Sequence, residues 1–389
     1  MPFAAAVSEK TNLSSAVQEI GRSIVSKLGR APELTFVFVT HHYAVDFSRL
    51  AQELHAELGG GLLLGCTGET VVGEAKEYEN GPVISVWSGI LPGATLVPFQ
   101  LEFARTPDGF MCSGLPEDLS THSNDARAVV LLGEPFSSIP QSVLEQLADE
   151  LPNVPIVGGM ASGGNFGENR LFMNDSEVPH GMVGVVIRGG PRVGTVVSQG
   201  CRPIGQPFVV TKADRDVVLE LGGATPMQRL KEIFHTLPVR DQKLVEGGVH
   251  IGIALNEYQE TFHRGDFLIM NVVGVDKKTE ALKASGPFRV GQTVQFQIRD
   301  GETADEDLRQ LLEHYLSEHA ARPSAGLLFS CNGRGTRMFT IPNHDAALIQ
   351  ESLGPMPLAG IFAQGELGPV SGKNYIHGFT ASAIFFEEE

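Results

Sequence analysis

The sequence predicts an α/β (α+β) protein of two related domains, each a mixed β-sheet flanked by helices and built from repeated β-α-β-β units with glycine-rich corners. Three observations carry that expectation. Apolar, β-branched runs of strand length recur at 34–39, 128–132 and 326–330. A segment with apolar residues at helical spacing follows the first two, and a helix at 344–353 follows the third. Each helix then leads to a second short strand that ends on glycines, at Gly65-Cys66-Thr67-Gly68-Glu69, at Gly158-Gly159-Met160-Ala161-Ser162-Gly163-Gly164 and at Gly365-Glu366. The spacing of the three copies is uneven and far longer than a solenoid period, so the pattern reads as duplication rather than as a repeat array.

In chain order, the residues before the first strand predict one helix over 16–28. In the first unit Leu50, Leu54 and Leu58 form a helical stripe, which Gly59-Gly60-Gly61 stops. A strand at 83–87 and an alternating run at 95–101 follow the glycine corner. The second unit places Pro140 in the first turn of its helix, with Val143, Leu147 and Leu151 on one face and Pro152 and Pro155 as the stop. Strands are predicted at 170–173 and 181–187. Residues 208–210 and 217–221 flank a polar stretch as a hairpin between the domains. Thr225-Pro226-Met227-Gln228 and Thr303-Ala304-Asp305-Glu306 both spell helix starts of the capping-box type. In the third unit Gly354 ends the helix and a closing strand runs over 380–386. The domain boundaries that follow are 1–30 for a helical lead, 31–222 for the first domain and 223–386 for the second.

The chain has 389 residues, 42% of them hydrophobic and 19% charged, which describes an ordinary folded protein and excludes disorder. Its formal charge is −17, and no Lys/Arg-rich run offsets that, so nucleic acid is excluded as a partner. Cys66, Cys112, Cys201 and Cys331 are far apart and spell no C-x-x-C, which predicts free thiols and a reducing compartment. The N-terminus lacks a basic signal-peptide region, and every apolar run is too short to cross a bilayer. A cytoplasmic protein with no membrane partner is expected.

Chemistry concentrates in the third unit. In Ser330-Cys331-Asn332-Gly333-Arg334-Gly335 two glycines around an arginine let N–H groups and a guanidinium face one spot, which suits an anion. Gly365-Glu366 lies at the matching corner of the next strand, so Glu366 is expected near Arg334. Two readings stand side by side: an internal ion pair, or a clamp in which Arg334 takes a ligand's carboxylate and Glu366 its amine. Cys331 is either a nucleophile beside a cation or a small buried hydrophobe, and no general base is placed for it. His41-His42 is a poor two-ligand metal site, no H-E-x-x-H occurs, and no metal is expected. Neither N-terminal glycine corner spells a Walker A or dinucleotide fingerprint.

The stretch Gly326-Leu327-Leu328-Phe329-Ser330-Cys331-Asn332-Gly333-Arg334-Gly335, followed by residues 357–369 and by Asn374-Tyr375-Ile376-His377-Gly378-Phe379, resembles the FIST C-terminal domain. The corners at 64–69 and 158–164, with Gly181-Met182-Val183-Gly184-Val185, resemble the FIST N-terminal domain. The resemblance implies an intracellular sensory module for small ligands such as amino acids, coupled to a signalling output. In relatives that output is an F-box segment, a kinase, a cyclic-dinucleotide enzyme or a chemoreceptor. None is spelled here, so a separate output protein is expected. The family's haem-based nitric oxide sensors add a haem alternative, although no histidine here matches an axial position. The expected pocket for a small anionic or zwitterionic ligand thus comprises Arg334 for the anion, Glu366 for an amine, and Cys331, Asn332, Gly333, Gly365 and Asn374 around them. Catalysis by Cys331 and a pocket-less interaction scaffold are the rivals.

Overall fold

The computed structural model describes residues 2–107, 109–259 and 261–388. The chain forms three successive motifs. The first comprises β1 (Phe3–Ser8), α1 (Leu13–Leu28), β2 (Leu34–Val39), α2 (Phe47–Glu57), β3 (Leu62–Thr67), a small hairpin β4 (Val71–Gly73) and β5 (Lys76–Tyr78), and β6 (Ile84–Gly89). The second repeats the order with β7 (Ala94–Thr106), β8 (Gly109–Ser113), β9 (Ala126–Gly133), α3 (Pro140–Glu150), β10 (Ile156–Met160), the hairpin β11 (Leu171–Met173) and β12 (Ser176–Val178), and β13 (Met182–Gly189).

The third motif opens with β14 (Arg192–Gln199) and then accommodates an insertion: β15 (Cys201–Pro203), β16 (Phe208–Asp214), β17 (Val217–Leu221), α4 (Pro226–Phe234), α5 (Val239–Glu246), β18 (Val249–Ala254), β19 (Phe267–Val275), β20 (Leu282–Ala284) and β21 (Thr293–Arg299). It resumes with α6 (Gly301–Glu318), β22 (Ala325–Cys331), α7 (His344–Leu353), β23 (Leu358–Ala363), the hairpin β24 (Glu366–Val370) and β25 (Lys373–His377), and β26 (Thr380–Glu387).

Each motif has a parallel inner pair, β2/β3, β9/β10 or β22/β23, with β6, β13 or β26 antiparallel on its outer side. Such doubly covered strands need continuous apolar sequence, as Leu34–Val39 shows with all six residues buried. The small hairpins are exchanged around a ring. That of the first motif joins the third motif's sheet through β4 on β23, that of the second joins the first through β11 on β3, and that of the third joins the second through β24 on β10. The inner faces share one core of Phe36, Phe38, Trp87, Val130, Leu132, Phe329, Ile361 and Phe386. Helices cover the outer faces: α1 and α2 on the first sheet, α3 on the second, α6 and α7 on the third.

The duplication explains three glycines. A Cβ at Gly65, Gly158 or Gly360 would lie 2.2, 1.8 or 1.7 Å from the carbonyl oxygen of Val37, Leu131 or Leu328 on the neighbouring strand. Only hydrogen fits there, and the obstruction is backbone, which cannot rotate away. Gly360→Ala is therefore expected to destabilise the protein by about 3 kcal/mol, measured by urea denaturation, whereas Gly274→Ala, with open space around it and no left-handed backbone, should cost under about 1 kcal/mol.

By contact the chain divides into two compact units that cut across its sequential halves. One holds Met1–Ser198, Leu308–Ile376 and Thr380–Glu389, and the other Gln199–Asp307 with His377–Phe379. The second unit is a barrel of antiparallel strands, closed where β18 pairs with β21, around Val210, Val218, Ile251, Leu282, Val294, Phe296 and Ile298. The hairpin expected at 208–210 and 217–221 forms as β16/β17 and is part of this barrel wall.

Two local expectations are corrected. The helix expected to start after Thr303 starts at Gly301, and the Asp300 carboxylate accepts the Glu302 N–H at 3.2 Å, so Thr303 lies inside the helix. Phe3–Ser8, read only as part of a helical lead, is a strand with all six residues paired on β6. Its three alanines carry little strand propensity, and pairing with a buried neighbour decides the outcome.

Candidate functional site: a buried charge cluster at the third corner

β22 ends at Cys331, paired with Ala363 of β23. The chain then turns: Asn332 N–H donates to the Ala363 carbonyl at 3.0 Å, Arg334 N–H to the Cys331 carbonyl at 2.9 Å, and Gly333 N–H to Cys331 Sγ at 3.4 Å. This folds the Arg334 side chain inward, where it is fully buried.

Asp345, on the first turn of α7, receives the guanidinium fork. Arg334 Nε donates to Oδ2 at 2.7 Å and Nη2 to Oδ1 at 2.8 Å. Ser330 Oγ donates to Oδ2 at 2.7 Å, and His344 Nδ1 lies 2.9 Å from Oδ1. Burial by itself would raise the Asp345 carboxyl. The adjacent Arg334 charge and its hydrogen bonds, helped by His344, overcome that and hold it well below the usual carboxylate range. The Phe339 ring stacks on His344 and also lies 5.2 Å from the guanidinium carbon, closing the cluster from one side.

The start of α7 takes its cap from another motif. Asn343 before it is left-handed at φ 64°, and Glu77 Oε1 from β5 accepts the N–H groups of Asp345 and Ala346 at 2.9 and 3.1 Å. Burial first, and the Asp345 charge second, push the Glu77 carboxyl up to about 7.

Glu366 begins β24 opposite Gly159 of β10. Its Oε2 accepts the Thr380 N–H at 3.0 Å and the Thr380 hydroxyl at 2.9 Å. Its Oε1 is buried and has no hydrogen-bond partner among the described residues. Burial pushes this carboxyl up to about 8, and the opposing pull of Thr380, Cys331 and Arg334 is insufficient. At pH 7 the group is therefore mainly protonated. Arg334 and Glu366 are electrostatic neighbours with Cys331 beside both, yet Arg334 forks onto Asp345 and Glu366 bonds Thr380. The direct ion pair read as one alternative is not formed.

Nearer the surface, the three corners are stitched together. Arg337, with its side chain 56% exposed, donates to the Asn332 carbonyl at 2.9 Å and forks onto Glu69 of the first motif's corner. The Glu69 N–H donates to Ser162 Oγ of the second corner at 2.9 Å, and that hydroxyl donates to the Phe362 carbonyl of the third. Asn332 Oδ1 is buried and without a partner among the described residues.

Cys331, Asn332, Gly333, Gly365 and Glu366 thus come together around Arg334. Asn374 does not join them. Its amide clamps the start of β10, accepting from Ile156 N–H at 2.9 Å and donating to the Val154 carbonyl at 2.9 Å, at the far end of that strand from Gly159. Asp345, Glu77, Thr380 and Arg337 are the polar neighbours of this corner that sequence reading missed. Only Asp345 left a local signal, an acid at a helix start six residues after the aromatic Phe339.

Haem finds no fit among these residues. His41 packs on Gly163 and Gly164, and His344 lies face to face on Phe339 with centroids 3.5 Å apart, so neither faces an apolar slot for the macrocycle. Among the described residues no group of three or more His, Cys, Asp or Glu is arranged to hold a metal, and no helix is long and apolar enough to cross a membrane.

The FIST N domain model matches residues 33–224 and the FIST C domain model residues 226–369. An uncharacterised protein of Mycobacterium tuberculosis is 41% identical over 359 residues, 92% of either chain. An uncharacterised protein of Mycobacterium bovis is 37% identical over 376 residues, 96% of either chain.

Proposed function

The chain belongs to the FIST family, whose domains are associated with signal-transduction sensing, and from that premise we propose that it is a small-ligand sensor whose ligand meets Cys331, Asn332, Gly333, Gly365 and Glu366. The observation that carries this reading is Glu366 Oε1, a buried carboxyl oxygen without a partner, set where glycine corners converge and beside the half-buried Cys331 and Asn332. Native proteins leave such an atom unsatisfied at a cost, and a ligand donor removes it.

The ligand class is a small zwitterion or anion, with an amino acid the simplest molecule that offers both ends. Its amine displaces the proton of Glu366 and pairs with the carboxylate. Its anionic end replaces Glu69 on the exposed fork of Arg337, because Arg334 is buried and committed to Asp345 and acts by holding the corner in shape. Occupancy biases the protein toward the ligand-bound conformation, and a separate output protein in the cytoplasm reads that change, with neither nucleic acid nor membrane as partner.

Proton displacement fixes the pH dependence. Below about pH 8 each unit of acidification is expected to weaken amine binding up to tenfold, because the protonated carboxyl must first ionise. A thermal-shift screen of amino acids and small carboxylates at pH 6 and pH 8 tests it. The expected result is a ligand-specific rise in Tm that is larger at pH 8 and absent in Glu366→Gln. No rise with any of them, or a rise that survives Glu366→Gln unchanged, overturns the assignment.

A further inference from the structure

We propose that a second ligand site, for a small dianion such as a phosphate monoester or a dicarboxylate, occupies the cleft between the start of β9 and the end of α6. This goes beyond the sensory corner, since the cleft lies at the opposite end of the parallel β9/β10 pair from the Gly159–Glu366 pairing. Its volume of about 720 Å³ is in the range of metabolite pockets, and Arg127, Asn153, Arg192, Glu318, His319 and Glu387 contribute to its lining.

Two features of the backbone bring the arginines to it. β13 pairs Ile187 with Ala128 and then Arg188 with Ala126, so Arg127 is the unpaired residue of a β-bulge, a device that re-aims a side chain. Arg192 opens β14 directly after the turn through Gly189 and Gly190, both at positive φ.

The charge balance then selects the ligand. Both acids of the cleft are already engaged. Glu387 accepts the Tyr315 hydroxyl at 2.8 Å and pairs with His319 Nδ1, and Glu318 lies 3.3 Å from His314. Among the described residues Arg127 and Arg192 have no hydrogen-bond or ion-pair partner, and both are exposed. The two guanidinium groups, without ion pairs among the described residues, are the groups of this cleft left to attract an anion in a chain with net charge −17. Each presents a planar fork that matches paired anionic oxygens, which is the chemistry shared by phosphate and carboxylate.

Isothermal titration calorimetry at low ionic strength, with inorganic phosphate and with succinate as probes, tests the site on the full chain. Saturable binding of at least one probe is expected, weakened by added salt and at least tenfold by Arg127→Gln with Arg192→Gln. Phosphate alone would identify a phosphoryl ligand, and succinate alone a dicarboxylate. Each single variant, which alters only an exposed side chain, should melt as the parent does and weaken binding at least threefold. Glu366→Gln should leave the affinity unchanged, separating this site from the sensory corner. Failure of both probes to bind, or binding that survives the double substitution, overturns the proposal.

Discussion

Asp345→Ala is expected to lower stability by about 3–5 kcal/mol in urea denaturation, among the largest losses available from a single side chain of this protein. The substitution leaves the Arg334 guanidinium buried without its counter-charge, and it removes the acceptor of Ser330 and the neighbour of His344. Desolvation decides the magnitude: a lone buried cation loses its hydration and receives nothing equivalent, whereas an intact fork balances much of that loss. For the same reason Asp345→Leu combined with Arg334→Met should be less destabilised than the two single changes predict together, since the double variant buries no unpaired charge. Ser330→Ala, which removes one donor and keeps the pair, should cost only about 1 kcal/mol. A loss below about 1 kcal/mol for Asp345→Ala would mean that Arg334 and Asp345 form a solvated rather than a buried pair. The folded Asp345 carboxyl titrates below its unfolded value, so its contribution is present above about pH 4 and is lost as pH falls further.

The parts of this site that were legible in the sequence are those whose signal is local. Arg334 between two glycines after a buried strand, and Glu366 after Gly365 at the next strand, announce a polar corner because both lie within a few residues of a recognisable strand end. Their partners are legible only in three dimensions. Glu77 reaches the start of α7 from a three-residue strand of another motif, 268 residues earlier than Asp345. That contact depends on the exchange of hairpins around the ring, which no periodicity encodes. The three β-α-β cores were visible for the opposite reason: doubly covered strands are continuous apolar runs, and helix stripes such as Leu50, Leu54 and Leu58 repeat at fixed spacing. The barrel was visible only at β16/β17, since its remaining strands alternate weakly and Phe267–Val275 is mostly half-buried. Arg334 also illustrates why residue type alone misassigns a role. An arginine in a glycine corner suits an anion, and here the anion is the protein's own Asp345.

Glu366→Gln is expected to reverse the sign of its effect on stability with pH. The folded carboxyl titrates near 8, above its ordinary value of 4.5, so the folded state binds more protons than the unfolded state between those limits. Stability from this group is therefore complete below about pH 4.5, falls as pH rises, and is lost once pH passes the folded value near 8. The total is on the order of 5 kcal/mol. Glutamine cannot ionise, and its side-chain oxygen can still accept the Thr380 N–H and hydroxyl, so the variant should show little of this slope. At pH 5 the parent should match or exceed the variant, and at pH 9 the variant should be the more stable by several kcal/mol in urea denaturation. Glu77, raised to about 7 by burial and by Asp345, contributes a slope of the same sign that Glu366→Gln retains, which sets the residual pH dependence of the variant. Parallel curves for parent and variant from pH 5 to 9 would mean that Glu366 is ionised in the folded protein. In that case an amine would meet a ready-made carboxylate, and the proton linkage of ligand binding would disappear with it.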